Sequence, residues 1–432
     1  MTTTTTRLAA GMSAASLLAT GALAQNRMVV FVHDQTPDQI LRLTDLNADG
    51  DAHDPGEATV FFDDAPPVTG VDNAQGMVAL DAHTLLATDN FDPDNIVLLR
   101  DLDMSGDAFG PGENTVWFGG MLPSALTMTN PAELRRRADG SYFLLDNNTL
   151  DTTRPEAIYI LKDLNSDDDV DDPGEISQFF ELSPIGVSDA ACFDVIEDTA
   201  GNVYVFDIAD PNQIESIDII NPGGETRTEW LSSSTLFNLA GVTFFGMYEL
   251  ERFPGTDTLI FGGATLSNSI TILSARDTNG SGTINAPGEL RVLWSEAGHA
   301  DGFSTGSCRD FVLAPDGSLL WTDGLRNRVM RLIDRNGDGD FQDLGETTVF
   351  YDDATAMGIG LPQLEQPLSL AVAQVCTADL AEPFGVLDFS DVSAFLIAFS
   401  AMDSAADLAP PLGVFDFSDV TTFLASFGAG CP

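Results

Sequence analysis

Side-chain oxygens at alternate positions of a short, glycine-containing loop are what a calcium ion requires, because it takes six to eight oxygen ligands from a chain that must turn sharply around it. The sequence carries such a loop five times: DLNADGDAHDPGE from Asp45, DLDMSGDAFGPGE from Asp101, DLNSDDDVDDPGE from Asp163, DTNGSGTINAPGE from Asp277 and DRNGDGDFQDLGE from Asp334. With the first Asp as position 1, the candidate ligands are Asp45, Asn47, Asp49, Asp51 and Glu57; Asp101, Asp103, Asp107 and Glu113; Asp163, Asn165, Asp167, Asp169 and Glu175; Asp277, Asn279, Ser281 and Glu289; and Asp334, Asn336, Asp338, Asp340 and Glu346. The closing Glu stands at position 13 in every copy, one later than in a helix-flanked EF-hand, so the expectation is a β-hairpin loop wrapped around calcium. Solvated Asp/Asn/Gly turns that only join strands would share part of this composition. The Asp45, Asp163 and Asp334 loops are the richest in acids. Ser105 replaces a carboxylate in the second loop, and the Asp277 loop keeps few charges.

The loops recur at spacings of 56, 62, 114 and 57 residues, and the double-length gap holds a worn copy, IDIINPGGETRTEW, around Asp218. Six repeats of roughly 57 residues result, each with alternating apolar segments of strand length between turn residues. In the clearest copy the strands are Asp310–Ala314, Leu319–Thr322, Arg328–Ile333 and Thr347–Tyr351, with the acidic loop between the third and the fourth. A lone four-stranded meander cannot bury both its faces, so the economical arrangement is radial: an all-β, six-bladed β-propeller. The phase at the ends favours closure. MVVFVHD from Met28 is a second-type strand and LSLAVA from Leu368 a first-type strand, so the latter supplies the missing inner strand of the opening blade.

The pair LLWTDGLRNRVMRLID, echoed in LLATDNFDPDNIVLLRD and YFLLDNNTLDTTRPEAIYILKD, resembles the six-bladed propellers of the NHL, YWTD and gluconolactonase-like group over about residues 27 to 375. The resemblance implies the fold, and in gluconolactonase-like members a divalent cation held by carboxylate and amide oxygens at the axial mouth. Residues of suitable type at strand ends and inner-loop positions are His33, Asp34, Asp72, Asn73, Asp89, Asn90, Asp146, Asn147, Asp189, Asp207, His299, Asp301 and Asp323. They form no recognisable motif, and an Asp at a strand end is more often a turn acceptor. No nucleophile elbow, zinc-protease, P-loop or dinucleotide motif is present. His53 falls inside the first acidic loop and reads as a surface residue. Cys192 and Cys308 read as buried small hydrophobes on inner strands.

A second repeat closes the chain: ADLAEPFGVLDFSDVSAFLIAF and, 28 residues on, ADLAPPLGVFDFSDVTTFLASF. Each half ends in an apolar helix, with Ser390 or Ser418 as N-cap and Phe395, Leu396, Phe399 or Phe423, Leu424, Phe427 on one face. Cys376 and Cys431 bracket the pair, and a unit this small needs such a staple. The region resembles dockerin domains, especially the Gly-Cys-terminated version of exported planctomycete proteins. By position, the resemblance assigns Asp379, Asp388, Asp391, Asp407, Asp416 and Asp419 as loop ligands, while Ala381 and Ala409 stand where that family has Asn or Asp. It implies docking to a protein or cell-envelope partner.

The chain has 432 residues, with 67 acidic against 18 basic side chains and a formal charge of -49, which excludes an electrostatic nucleic-acid binder. At 44% apolar it can bury a large core. Met1–Arg7 is polar with one positive charge, Leu8–Leu23 is apolar and small, and Ala22-Leu23-Ala24 suits signal peptidase. The expected organisation is therefore 1–24 signal peptide, 25–375 six-bladed β-propeller and 376–432 dockerin-like C-terminal α-helical unit, in a secreted or cell-surface protein without a membrane span. The expected function is a calcium-binding, non-catalytic binding or scaffold module with a ligand on the propeller face. The alternative is a propeller hydrolase, of lactonase or esterase type, with a divalent metal at the axial mouth.

Overall fold

The computed structural model describes residues 28–47, 49–63, 70–90, 94–123, 126–147, 155–183, 193–207, 216–267, 269–376, 378–381, 387–402, 406, 408–409 and 414–430. The expected signal peptide, Asp189, Cys192, Asp407 and Cys431 lie outside them.

Six four-stranded antiparallel sheets form the molecule. From inside to outside, blade 1 is Pro367–Gln374, Met28–Asp34, Gln39–Thr44 and Ala58–Asp63. Blade 2 is Met77–Ala79, Thr84–Asp89, Asn95–Arg100 and Asn114–Phe118; blade 3 is Pro131–Arg136, Tyr142–Asp146, Glu156–Leu161 and Ile176–Ser183. Blade 4 is Val195–Glu197, Val203–Asp207, Ser216–Ile220 and Arg227–Leu231; blade 5 is Phe244–Arg252, Leu259–Thr265, Ile270–Ala275 and Leu290–Ser295. Blade 6 is Phe311–Leu313, Leu319–Asp323, Arg328–Leu332 and Thr347–Asp352. The ring closes as the strand phase requires: Met28–Asp34 pairs antiparallel with Pro367–Gln374 through partners such as Val30 and Val372. Innermost strands of successive blades touch all the way round.

Both faces of each blade are covered, which is why the second strands are nearly continuous apolar runs. Alternation sends neighbouring residues to opposite partners. Val30 and Val32 pack with Leu320 and Phe350 of blade 6, whereas Phe31 packs with Leu85 and Val97 of blade 2. The core is thus six apolar layers, one between each pair of blades.

Three features have no counterpart in the strand pattern. Ser233–Ala240 is a helix whose N-cap Ser232 accepts from the Thr235 amide and whose left-handed Gly241 ends it. Asp353–Ile359 is a second, capped by Asp352 and ended by Gly360. A two-stranded ribbon, Met121–Leu122 with Leu126–Thr127, lies outside the blades. Cys308 is a buried free thiol, but it precedes the inner strand of blade 6 instead of lying on it.

The helices Phe389–Ala401 and Phe417–Ala429 have their own small core, in which Phe395 and Phe423 stack with centroids 4.2 Å apart. Two details differ from the sequence reading. The buried stripe is Val392, Phe395, Phe399 and Val420, Phe423, Phe427, while Leu396 and Leu424 are exposed. The N-caps are Asp388 and Asp416, two residues before the expected serines, because each forms a capping box with the Asp three residues on. Cys376 is disulfide-bonded. Among the described residues, no helix is long and apolar enough to cross a membrane.

Candidate functional site

All five acidic loops join the third strand of a blade to its outermost strand, on the rim of the ring. Their backbones follow one frame. Position 6 takes a left-handed conformation, at Gly50, Gly106, Gly282 and Gly339 without steric cost and at Asp168 with φ +68°. One carboxylate oxygen of the position-1 Asp accepts from the position-6 amide, at 3.0 Å for Asp45, 3.0 Å for Asp101, 3.3 Å for Asp163, 2.7 Å for Asp277 and 2.8 Å for Asp334. The closing Glu is buried and grips both ends of the loop. Glu57 accepts the Leu46 amide at 2.8 Å on one oxygen and the Asp54 amide at 2.9 Å on the other. Glu113, Glu175, Glu289 and Glu346 repeat the arrangement. Four backbone amides, those of Asn285 first, then Ala286, Thr278 and Asn279, hold the Glu289 carboxyl below its usual range.

Between those ends the remaining ligand candidates converge. Asn47, Asn165 and Asn336 each direct their amide nitrogen at two carboxylates. Asn165 Nδ2 lies 2.9 Å from Asp167 and 2.7 Å from Asp172, and Asn47 and Asn336 meet Asp49 with Asp54, and Asp338 with Asp343, in the same way. The acids at position 10, Asp54, Asp172 and Asp343, therefore belong to the cluster. Their signal was in the phrase itself, as the Asp before Pro-Gly-Glu or Leu-Gly-Glu. Desolvation first, then the Asp167, Glu175 and Asp169 charges, raise the Asp172 carboxyl, as crowding of like charge must. Asp51, Asp107, Asp169 and Asp340 each spend one oxygen on the amide two residues on. In the second loop, ligand atoms of Asp101, Asp103 and Glu113 lie within 4.8 Å of one another. Asp101 is 3% exposed, and its Oδ1 has no hydrogen-bond partner among the described residues. Ser281 instead bonds to Thr283 and Asn285 within its charge-poor loop.

The loops also join blades. The apolar residue at position 8 is buried, and its amide donates to the outermost strand of the preceding blade: Ala52 to Phe350, Ala108 to Phe61, Val170 to Trp117, Ile284 to Trp230 and Phe341 to Leu293. Blade 4 has no acidic loop. At the seam with blade 3 its turn instead brings Gly224 so close to the Phe179 carbonyl that a Cβ would sit 2.4 Å from that oxygen. Arginines of preceding blades counter the loop charge: Arg331 donates to the Gly50 carbonyl, Arg100 to Asp168 at 3.0 Å and Arg291 to Asp340 at 2.8 Å. His53 is not a free surface residue. It stacks on Tyr351 and accepts from the Asp352 amide at 3.0 Å, and so ties the first loop to blade 6.

At the other candidate site, the axial mouth, the strand-end acids are turn acceptors. Asp34 accepts amides of Glu365 and Gln366, Asp89 that of Asp72, Asp146 those of Thr129 and Asn130, and Asp323 those of Gly306 and Ser307. Each thereby fixes the segment that enters an inner strand. His33 pairs with Asp38 at 3.2 Å, Asn73 accepts from Gln35 and Asn90 donates to Asn130, and among the described residues these candidates form no metal set. His299 and Asp301 sit away from the axis. His299 packs edge-on against Trp294, burial lowers its pKa, and Asp301 accepts amides of Gly345 and Thr347 behind the Asp334 loop. Nothing is described of the Asp207 side chain.

The axis is instead occupied by a charge cluster that the strand pattern did not flag. Arg135, on the inner strand of blade 3, donates to Asp194 at 3.2 and 3.0 Å, to Glu251 at 2.9 Å, to the Leu250 carbonyl at 3.0 Å and, closest of all, to Glu249. Glu133 adds a fourth carboxylate at 3.5 Å. Burial pushes Asp194 up to about 6, Asp310 up to about 7 and Glu133 well above its usual range, despite the opposing charge of Arg135. Ligand atoms of Glu133, Asp194 and Glu249 lie within 4.8 Å of one another, but the guanidinium already serves them. Above the cluster is a cavity of about 300 Å³ lined by Gln75, Glu133, Phe193, Glu249, Arg309 and Asp310. The signal available in sequence was the charge at alternate positions in PAELRRR and YELER, on strands that otherwise read as apolar.

No family model matches the chain, and no curated protein matches it. Solved structures similar to it include a protein of unknown function from Bacteroides thetaiotaomicron, at 13% identity and TM-score 0.47 over 80% of this chain and 70% of that one. An auxiliary nutrient binding protein from the same organism shares 12% identity, with TM-score 0.43 over 75% of this chain and 64% of that one. A gluconolactonase from Xanthomonas campestris shares 14%, with TM-score 0.40 over 79% and 86%. These likenesses say nothing about the chemistry of this chain.

Proposed function

We propose that the protein is an exported, calcium-binding β-propeller that acts as a non-catalytic binding or scaffold module, attached to a protein or cell-envelope partner through its dockerin-like C-terminal unit. The calcium reading is carried by the second rim loop, where the buried Asp101 keeps an oxygen without any donor beside Asp103 and Glu113. A divalent cation satisfies that oxygen and relieves the repulsion among the loop acids. The Asp45, Asp163 and Asp334 loops offer the same frame with an additional acid at position 10. Calcium there would brace adjacent blades, because position 8 of each loop hydrogen-bonds across the seam. Each ion held at a hundred times its dissociation constant would add ~2.7 kcal/mol to the folded state.

The non-catalytic part of the reading rests on Arg135. A hydrolase of the lactonase or esterase type would need the axial carboxylates to face a metal and a substrate, whereas Glu133, Asp194, Glu249 and Glu251 face a guanidinium. The exported part rests on the composition of the first 24 residues. Calorimetric titration of chelator-treated protein with calcium tests the proposal. Saturable uptake by several sites, one of them lost in Asp101→Asn, is expected. No uptake at millimolar calcium, or unchanged stoichiometry in that variant, would overturn it.

A further inference from the structure

Four of the chain's 18 basic residues, Arg135, Arg136, Arg137 and Arg252, line one cavity of about 620 Å³. It is formed where the inner strands of blades 3, 4 and 5 turn into the second strands, on the face of the ring opposite the mouth at which inner strands begin. Such a gathering is unusual in a molecule with a formal charge of -49, whose surface repels anions almost everywhere.

The cavity also contains Asp139, Glu197, Asp198 and Glu251, so its charge could cancel internally. The formal charge balances, four against four, but the hydrogen bonds leave the donors unevenly used. Glu197 is held by Arg137 at 3.2 and 2.7 Å, and Glu251 is held by Arg135 at 2.9 Å. Asp198 caps the turn of blade 4 through the amides of Ala200 and Asn202, and Asp139 caps that of blade 3 through Ser141. Asp139 and Asp198 keep their charge but have their oxygens occupied by these turns, which leaves two guanidiniums without a carboxylate partner. Among the described residues Arg136 has no carboxylate partner, and the Arg252 guanidinium donates only to the Thr256 carbonyl, with its Nε buried and unpartnered. Ile196 and Ala138 add apolar lining, while Phe143 is buried beneath the Arg137 guanidinium at 4.4 Å.

We propose that this cavity binds a small organic oxyanion, its acid group held by Arg252 and Arg136 and its carbon skeleton against Ile196 and Ala138. Guanidiniums present paired N–H donors that match the oxygens of a carboxylate, sulfate or phosphate. The volume exceeds what a bare ion fills and falls in the usual range for small-molecule sites. Arg135 and Arg137, already paired, preorganise the wall and take no part in recognition. The site is independent of the rim loops and of calcium.

The test is isothermal titration of the full chain, calcium present, with citrate, inorganic phosphate and sulfate at matched ionic strength. Saturable binding of at least one is expected, weakened tenfold or more in Arg252→Gln and in the exposed Arg136→Gln, and unchanged in Arg326→Gln, on a distant turn. Citrate binding tightest identifies a carboxylate ligand, and phosphate or sulfate tightest identifies the corresponding ester. Absence of saturable binding for all three, or binding that neither cavity variant weakens, would overturn the proposal. Arg136 is exposed and, among the described residues, its side chain makes no hydrogen bond or ion pair, so its variant keeps the test valid if Arg252→Gln misfolds.

Discussion

Replacing Arg135 by Met should destabilise the propeller in a way that depends steeply on pH. The guanidinium satisfies Asp194 on both oxygens, Glu251 at 2.9 Å and the buried Glu249, and its charge is the largest influence opposing the burial that raises Asp194 to about 6. In the variant, Asp194 keeps only the amides of Val195 and Leu250. Breaking a buried ion pair from one side costs about 3–5 kcal/mol. The sign with pH follows from proton binding. Without Arg135, Asp194 and Glu133 titrate still higher in the folded state, while in the unfolded chain they titrate near the ordinary carboxylate value. The folded variant holds protons that the unfolded variant has released, so its stability falls as pH rises from about 4 toward 8. Each unit of added shift is worth ~1.4 kcal/mol. The deficit against wild type should therefore be about 3–5 kcal/mol at pH 8 and shrink to roughly 1–2 kcal/mol at pH 5, where the acids are protonated. Urea unfolding followed by the fluorescence of buried Trp294 and Trp321, at both pH values and fixed calcium, measures it. A deficit below about 1 kcal/mol, or one equal at both pH values, would refute the view of Arg135 as the counter-ion of the axis. Asp194→Asn, which keeps a hydrogen-bonding shape but removes one charge, should lose much of the same pH dependence.

The same accounting applies to Asp310, raised to about 7 chiefly by burial: its ionisation costs stability that is absent below pH 4 and fully felt above pH 7. Asp310→Asn should raise the melting temperature at pH 8, by the equivalent of about 1–3 kcal/mol, and leave it nearly unchanged at pH 4. Met104, half-exposed with φ +61°, holds a left-handed conformation that a side chain resists. Met104→Gly should add about 1 kcal/mol in urea titrations. Burial, then the Asp310 and Asp323 charges, push the Cys308 thiol far up, so native protein should leave it unlabelled by a thiol reagent that reacts fully in urea.

The repeat phrase carried the architecture because its turn residues are locally determined. Pro-Gly-Glu and the Asp-x-Asn run place hairpin loops, and the apolar alternation between them gives four strands per blade. Closure by Pro367–Gln374 followed from strand phase alone. The axis was not legible in the same way. Arg135 and Glu249 meet across blades through inner strands far apart in the chain, and nothing local distinguishes such a pair from surface charge. The strand-end acids show the converse. The family resemblance implied a metal near them, but Asp34, Asp146 and Asp323 each have amides within hydrogen-bonding reach in the adjoining turn, a local solution available without any metal. The helix caps moved from Ser390 and Ser418 to Asp388 and Asp416 because a capping box needs an acid three residues on, at Asp391 and Asp419.

Those two acids link the halves of the chain. Asp391 accepts the amides of Leu380 and Ala381 on one oxygen and of Asp388 on the other; Asp419 does the same with Leu408, Ala409 and Asp416. Counted from Asp379, these are positions 2, 3 and 10 closed by position 13, the frame that Glu57 and Glu346 form on the rim. The frame persists where ligands are gone, at Ala381 and Ala409 and in the charge-poor Asp277 loop, so holding the loop and binding a cation are separable tasks. Separate variants should therefore fail separately. In Glu346→Gln, one amide-accepting oxygen becomes a donor facing the Asp343 amide, which should cost about 1–3 kcal/mol with or without calcium. Asp338 is exposed; an Asn there still accepts from the Asp340 amide, and the contact it loses with the Asn336 amide nitrogen leaves that nitrogen on Asp343, so Asp338→Asn should change the melting temperature in chelator little and reduce mainly the increase that calcium brings. If Asp338→Asn melts early in chelator, or Glu346→Gln melts normally there, frame and ligand cannot be divided in this way, and the rim loops are ordered by their acids as a whole.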